Sequence, residues 1–90
     1  MQTPKPEEIY RHFKGKNYRI IGIANDSENP DKKIVIYEQL YASENALGTL
    51  WARNLEDFIG DKIFDKDTKV GDRIFRAGER VKKFTLIEKI

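Results

Sequence analysis

The chain contains no cysteine. That absence removes a disulfide scaffold, a thiolate zinc site and a cysteine nucleophile together. No long hydrophobic run exists either. The longest unbroken apolar or glycine stretch is Ile20 to Ala24, against about 20 residues for a membrane-spanning helix. The opening "MQTPKPEE" has no apolar signal region, which predicts a cytoplasmic protein without a membrane partner. Neither GxxxxGK[ST] nor GxGxxG occurs, so no nucleotide cofactor is indicated and no cofactor is expected. "DKDTKVGDR" has the look of a calcium loop, but counting from Asp65 puts Val70 where glycine is required and Arg76 at the bidentate glutamate. No metal site is expected. Neither sign of charge dominates: 17 basic and 15 acidic residues leave a net charge of +2, too balanced to assign nucleic acid on charge alone.

What the chain does have is aromatic anchors: five Phe, four Tyr and one Trp in 90 residues, too many for a disordered chain. Its length fits one domain with a modest core, burying roughly 60–65% of the unfolded surface.

Residues 1–8, with Pro4 and Pro6, read as an extended lead-in, and residues 9–90 as a single small domain. Ile9, Arg11 and Phe13 alternate with Tyr10, His12 and Lys14 on a first strand. Gly15 and Asn17 mark a turn. Tyr18 to Ala24 forms a second strand, apolar on both faces through Ile20, Ile21 and Ile23, as a central or barrel strand would be. A polar loop, Asn25 to Lys33, leads to "IVIYEQLY", in which Val35, Tyr37, Gln39 and Tyr41 share a face. Thr49 to Arg53 is a fourth strand, and Asn54 is placed to cap one helical turn, "LEDFI", stopped at Gly60. Residues 61–79, framed by "DKIF" and "DRIF", form either an excursion hairpin or an irregular loop. "VKKFTLIEKI" closes the domain with Phe84, Leu86 and Ile90 facing inwards. Five short strands and one helical turn predict an all-β fold, a small SH3-like barrel, with an OB-like barrel as the alternative.

Taken in order, "YRHFKG" at Tyr10–Gly15, "IGIA" at Ile21–Ala24, "SE" at Ser27–Glu28, "VIYEQLY" at Val35–Tyr41, "LWARNLEDF" at Leu50–Phe58 and a weaker "GERVKKF" at Gly78–Phe84 resemble the domain of unknown function 1653 family, small stand-alone bacterial proteins. The resemblance covers residues 9–58 well and the remainder loosely. The family pattern has His-Ser-Glu where this chain has Asp26-Ser27-Glu28, and Arg-Pro where it has Arg53-Asn54. Any chemistry resting on that second His is therefore absent here. The family implies a fold more than an activity.

The candidate site is an aromatic–basic face of Arg11, His12, Asp26, Glu28, Tyr37, Trp51 and Arg53. Aromatics would supply stacking area, arginines bidentate donors, and the acidic loop selectivity for amines or hydroxyls. Each residue also has a structural explanation: Trp51 and Tyr37 as core, Arg53 as a cross-sheet partner of Glu38 or Glu28, and the lysines of "ERVKK" as a solvated strand edge. The expected function is a binding module for a polar or anionic ligand. RNA or a nucleotide-like molecule is favoured over a protein partner by fold analogy. The alternatives are a small hydrolase or transferase using His12 as base with Ser27 or an activated water, and a scaffold that oligomerises through a strand edge. No catalytic residue is assigned.

Overall fold

A computed structural model describes residues 3–89. The protein is mostly β with one short helical turn. Its strands are β1 (Ile9–His12), β2 (Asn17–Asn25), β3 (Lys33–Gln39), β4 (Leu50–Asn54), β5 (Asp61–Ile63), β6 (Thr68–Val70), β7 (Arg73–Phe75), β8 (Arg80–Lys82) and β9 (Phe84–Glu88), with α1 (Leu55–Phe58) after β4. Five strands form an antiparallel sheet in the order β4-β3-β2-β1-β9, and β5–β8 and β6–β7 are separate two-stranded ribbons.

The alternation read along β3 is obeyed: Val35, Tyr37 and Gln39 are buried. Val35 and Tyr37 pack with Tyr10, Ile20, Phe58 and Phe84 into one core. In β2 the two apolar faces are resolved by a β-bulge. Ile20 pairs with Tyr37 and Gly22 with Ile36, so Ile21 is skipped, and it stands 43% exposed. A glycine beside the bulge lets the strand bend there.

The expected β fold with one short helical turn is present as a five-stranded antiparallel sheet and two ribbons, and no closed barrel is detected among the described residues. Among the described residues no ladder joins β4 to β9. Flat, a five-stranded sheet would hold these edges about 19 Å apart. Yet the Arg53 guanidinium of β4 lies 5.2 Å from the ring centroid of Phe84 on β9, so the sheet is strongly curled. The helical turn fills the seam: Phe58 stacks on Phe84 at 4.1 Å, and the Lys83 N–H donates to the Gly60 carbonyl at 3.2 Å. β4 turns directly into α1, and among the described residues the edge of β9 away from β1 has no strand partner. Asn54 precedes α1 as expected, but its side chain makes no capping hydrogen bond.

From residue 3, the first described, the lead-in is packed against the sheet. Pro4 is fully buried, Glu8 is 4% exposed, and the Glu7 N–H and Glu8 carbonyl bond the backbone of Ile20 at 2.8 and 2.9 Å. Residues 1 and 2, and Ile90 with its expected inward side chain, lie outside the described residues. Residues 61–79 contain a hairpin, β6–β7, carried on the β5–β8 ribbon. The terminal phenylalanines of "DKIF" and "DRIF", Phe64 and Phe75, stack at 4.5 Å with planes 7° apart. They form a second apolar cluster, which Phe13 meets edge-on at 5.8 and 6.1 Å. No helix among the described residues is long and apolar enough to cross a membrane.

Candidate functional site, a basic cleft around His12

β1 ends where the chain must turn. The Gly15 N–H donates to the His12 carbonyl and the His12 N–H to the Lys16 carbonyl, both at 2.8 Å, with Gly15 at φ 101°, a conformation glycine adopts without strain. This turn fixes His12 and Phe13 as a ridge between the two apolar clusters. The imidazole meets Phe84 edge-to-face at 4.9 Å and lies 4.3 Å from the Phe13 ring.

The His12 ring is half-buried, and its Nδ1 accepts the backbone N–H of Lys14 at 3.1 Å. Burial first, then the positive charges of Arg53, Lys14 and Lys83, push its pKa down to about 4. At neutral pH the ring is therefore uncharged. With Nδ1 committed as acceptor, the proton is assigned to Nε2, making that nitrogen a donor.

Arg53 lies beside it, held from two sides. Its Nε donates to the Tyr37 hydroxyl at 3.2 Å and its Nη1 to Asp57 Oδ2 at 2.7 Å. The other Asp57 oxygen accepts from Lys83 Nζ. Burial opposes the charge on Arg53, but the bonds from Tyr37 and Asp57 outweigh it and raise its pKa. The Lys83 bond, against burial and helped by Arg53, holds the Asp57 carboxyl below its usual range. One carboxylate thus aligns two cations.

His12, Arg53 and Lys83 line a cleft of about 430 Å³ walled by Phe13 and Phe64, with Asp57 outside its lining. Lys14, Lys62 and Lys66 join Arg53 and Lys83 in the lining, and Asp65 is its one acidic residue. A chain of net charge +2 thus concentrates five cations at one place. On the other side of the ridge a second cleft, of about 300 Å³, is lined by Arg11, Arg73 and Lys82 with no acidic residue. A larger cavity, about 510 Å³, lies between the β2–β3 loop and α1, but there Lys32 and Lys33 are offset by Asp31, Glu56 and Asp57.

The residues singled out from sequence do not form one face. His12 and Arg53 meet in the first cleft with Tyr37 buried beneath. Arg11, bonded to Asn17 Oδ1 at 3.1 Å, lies across the ridge in the second. Trp51 donates to the buried Gln39 side chain at 3.2 Å and lines neither cleft. Asp26 closes its own loop, accepting the Glu28 N–H at 2.9 Å; Asp26, Ser27 and Glu28 line neither cleft. Tyr10, which precedes Arg11 and His12 on β1, belongs to the core. Arg53 pairs with Asp57, and Glu38 with Arg19 instead. Asp57, Lys62, Lys66 and Lys83 were missed. The only local hint was the four-residue spacing of Arg53 and Asp57. Among the described residues, no group of three or more His, Asp or Glu side chains is placed to hold a metal ion.

The family model described as "Protein of unknown function (DUF1653)" matches residues 8–76. The chain belongs to this family. The matched region includes His12, Arg53, Asp57, Lys62 and Lys66 and runs through the β6–β7 hairpin, beyond the segment that carried the resemblance most clearly; "GERVKKF" falls outside it. No curated protein and no solved structure matches the chain.

Proposed function

We propose that the protein is a small binding module that takes an anionic group, such as the phosphate of RNA or of a nucleotide-like ligand, in the cleft around His12. One observation carries this reading: five cations and a neutral imidazole donor surround a cleft with one acidic lining residue. Arg53 and Lys83 are pre-aligned by Asp57, so less side-chain freedom is lost when an anion arrives. Charge-assisted donors of this kind are the strong ones for phosphate. The curled sheet, sealed by α1, is in this reading a variant of the SH3-like barrel, whose small size suits recognition rather than a deep reaction chamber.

Two observations favour binding over the hydrolase alternative. The nitrogen assigned the proton is His12 Nε2, so that nitrogen donates rather than abstracts, and Ser27 does not line the cleft. The test is an NMR titration of the labelled protein, at low salt, with inorganic phosphate, adenosine monophosphate and a short RNA. Saturable shifts at His12, Arg53, Lys62 and Lys83 are expected. No shift with any of the three would refute the reading.

A further inference from the structure

The two basic clefts are not independent. They share His12 and Phe13, which stand between them as a common wall. Lys62, Lys66 and Lys83 line one side; Arg11, Arg73 and Lys82 line the other. Arg11, Arg73 and Lys82 are all exposed. Volumes of about 430 and 300 Å³ are each of small-molecule size, so either cleft admits a unit or two of a strand but not a duplex.

The aromatic rings that usually stack bases are occupied. Phe64 stacks on Phe75 and carries the Lys62 ammonium 5.6 Å from its centroid. Phe75 in turn carries the Arg73 guanidinium at 4.3 Å, and Phe13 lies against His12. What the clefts offer an incoming chain is positive charge and N–H donors, in two patches separated by a ridge.

We infer that the ligand is an extended strand of single-stranded nucleic acid, held through its phosphates, which crosses the His12–Phe13 ridge and occupies both clefts. This inference rests on the anion-binding reading above and specifies its ligand. Phosphate-directed contacts make such binding tolerant of sequence and steeply salt-dependent. A strand carries one charge per unit whatever its bases, which suits cations spread over two clefts better than one compact anion does.

The experiment compares adenosine monophosphate, oligo-U and oligo-dT of eight units, and an eight-residue polyglutamate, by fluorescence anisotropy competition at several salt concentrations. The comparison is made on the wild type and on an Arg11→Ala/Lys82→Ala variant whose fold is checked by thermal melting. We expect an octamer to bind at least tenfold tighter than the monophosphate. The expected salt slope is about −2 to −3, for three or four phosphates at about −0.7 each. In the variant the length advantage disappears. Equal binding of oligo-U and oligo-dT supports recognition of the shared backbone, and a preference for oligo-U supports a strand that also uses its 2′-hydroxyls. Polyglutamate binding as tightly as the oligonucleotides would overturn the nucleic-acid assignment. An octamer no tighter than the monophosphate, or a variant that keeps the advantage, would overturn the two-cleft inference while leaving the anion site standing; no binding by any probe would overturn both.

Discussion

His12 and Phe84 meet edge-to-face, ring centroids 4.9 Å apart with planes at 78°, and this contact joins the last residue of β1 to the first residue of β9. Through it the imidazole is set against the main core on one side and Phe13 on the other, under a ring of cations. Its chemistry follows from that position: neutral, Nε2 protonated, facing positive charge.

The folded pKa of His12, about 4, lies below its reference value of 6.5. The folded state therefore resists a proton that the unfolded chain accepts. Stability is undiminished by this group above pH 6.5 and falls as the pH drops from there towards 4. A His12→Gln variant lacks the titration. Urea midpoints of wild type and variant should converge as the pH is lowered through this window, and parallel curves would show that His12 titrates normally.

Asp57 is expected to trade stability against affinity. Asp57→Asn removes the carboxylate shared by Arg53 and Lys83. For such partly exposed pairs the loss is about 1 kcal/mol. The same change removes roughly 1 kcal/mol of repulsion towards an anion, part of which is offset by the lost alignment of Arg53 and Lys83, so phosphate should bind tighter by less than about fivefold. Thermal melting and phosphate titration read the two effects separately.

Phe75 is 1% exposed and stacked on Phe64. Phe75→Ala should remove about 3 kcal/mol from the second apolar cluster. The loss should be local: amide exchange accelerates across Thr68–Phe75 while the five-stranded sheet keeps its protection. Uniform acceleration would mean that both clusters unfold as one unit.

Gln39 is 1% exposed, and its amide donates to the Tyr41 and Asn45 carbonyls, both at 2.9 Å, while accepting the Trp51 indole N–H. Gln39→Leu removes the donor to the Tyr41 carbonyl and the acceptor of the Trp51 indole, while the Asn45 carbonyl keeps the Ser43 N–H at 3.0 Å, and should destabilise by about 2 kcal/mol. Tryptophan fluorescence during urea unfolding measures it.

These elements also mark how far the sequence alone could be read. The Val35–Tyr37–Gln39 face was legible because strand alternation is a local pattern. So was the helical turn after Arg53, from its position between a strand and Gly60. The exposed Ile21 was not legible, because a bulge depends on how β2 registers against β3. Nor was the open seam, since Phe58 and Phe84 meet only once the sheet curls. For the site, His12 and Arg53 stood out by residue type, whereas Lys62, Lys66 and Lys83 resembled any solvated lysine. Their convergence comes from β5, from the chain between β5 and β6 and from the chain between β8 and β9, brought to β1 by the packing of Phe13 on Phe64. Trp51, Asp26 and Glu28 drew notice for the same reason of residue type, yet the fold carries them away from His12.

The most direct test of the account is the pKa of His12 with and without bound phosphate, followed by NMR of the imidazole. A bound anion offsets the repulsion from Arg53, Lys14 and Lys83 that helps hold the value near 4, so saturating phosphate should raise the apparent pKa of His12 clearly above its free value. A His12 titration curve that does not move at saturating phosphate would contradict an anion site at this cleft.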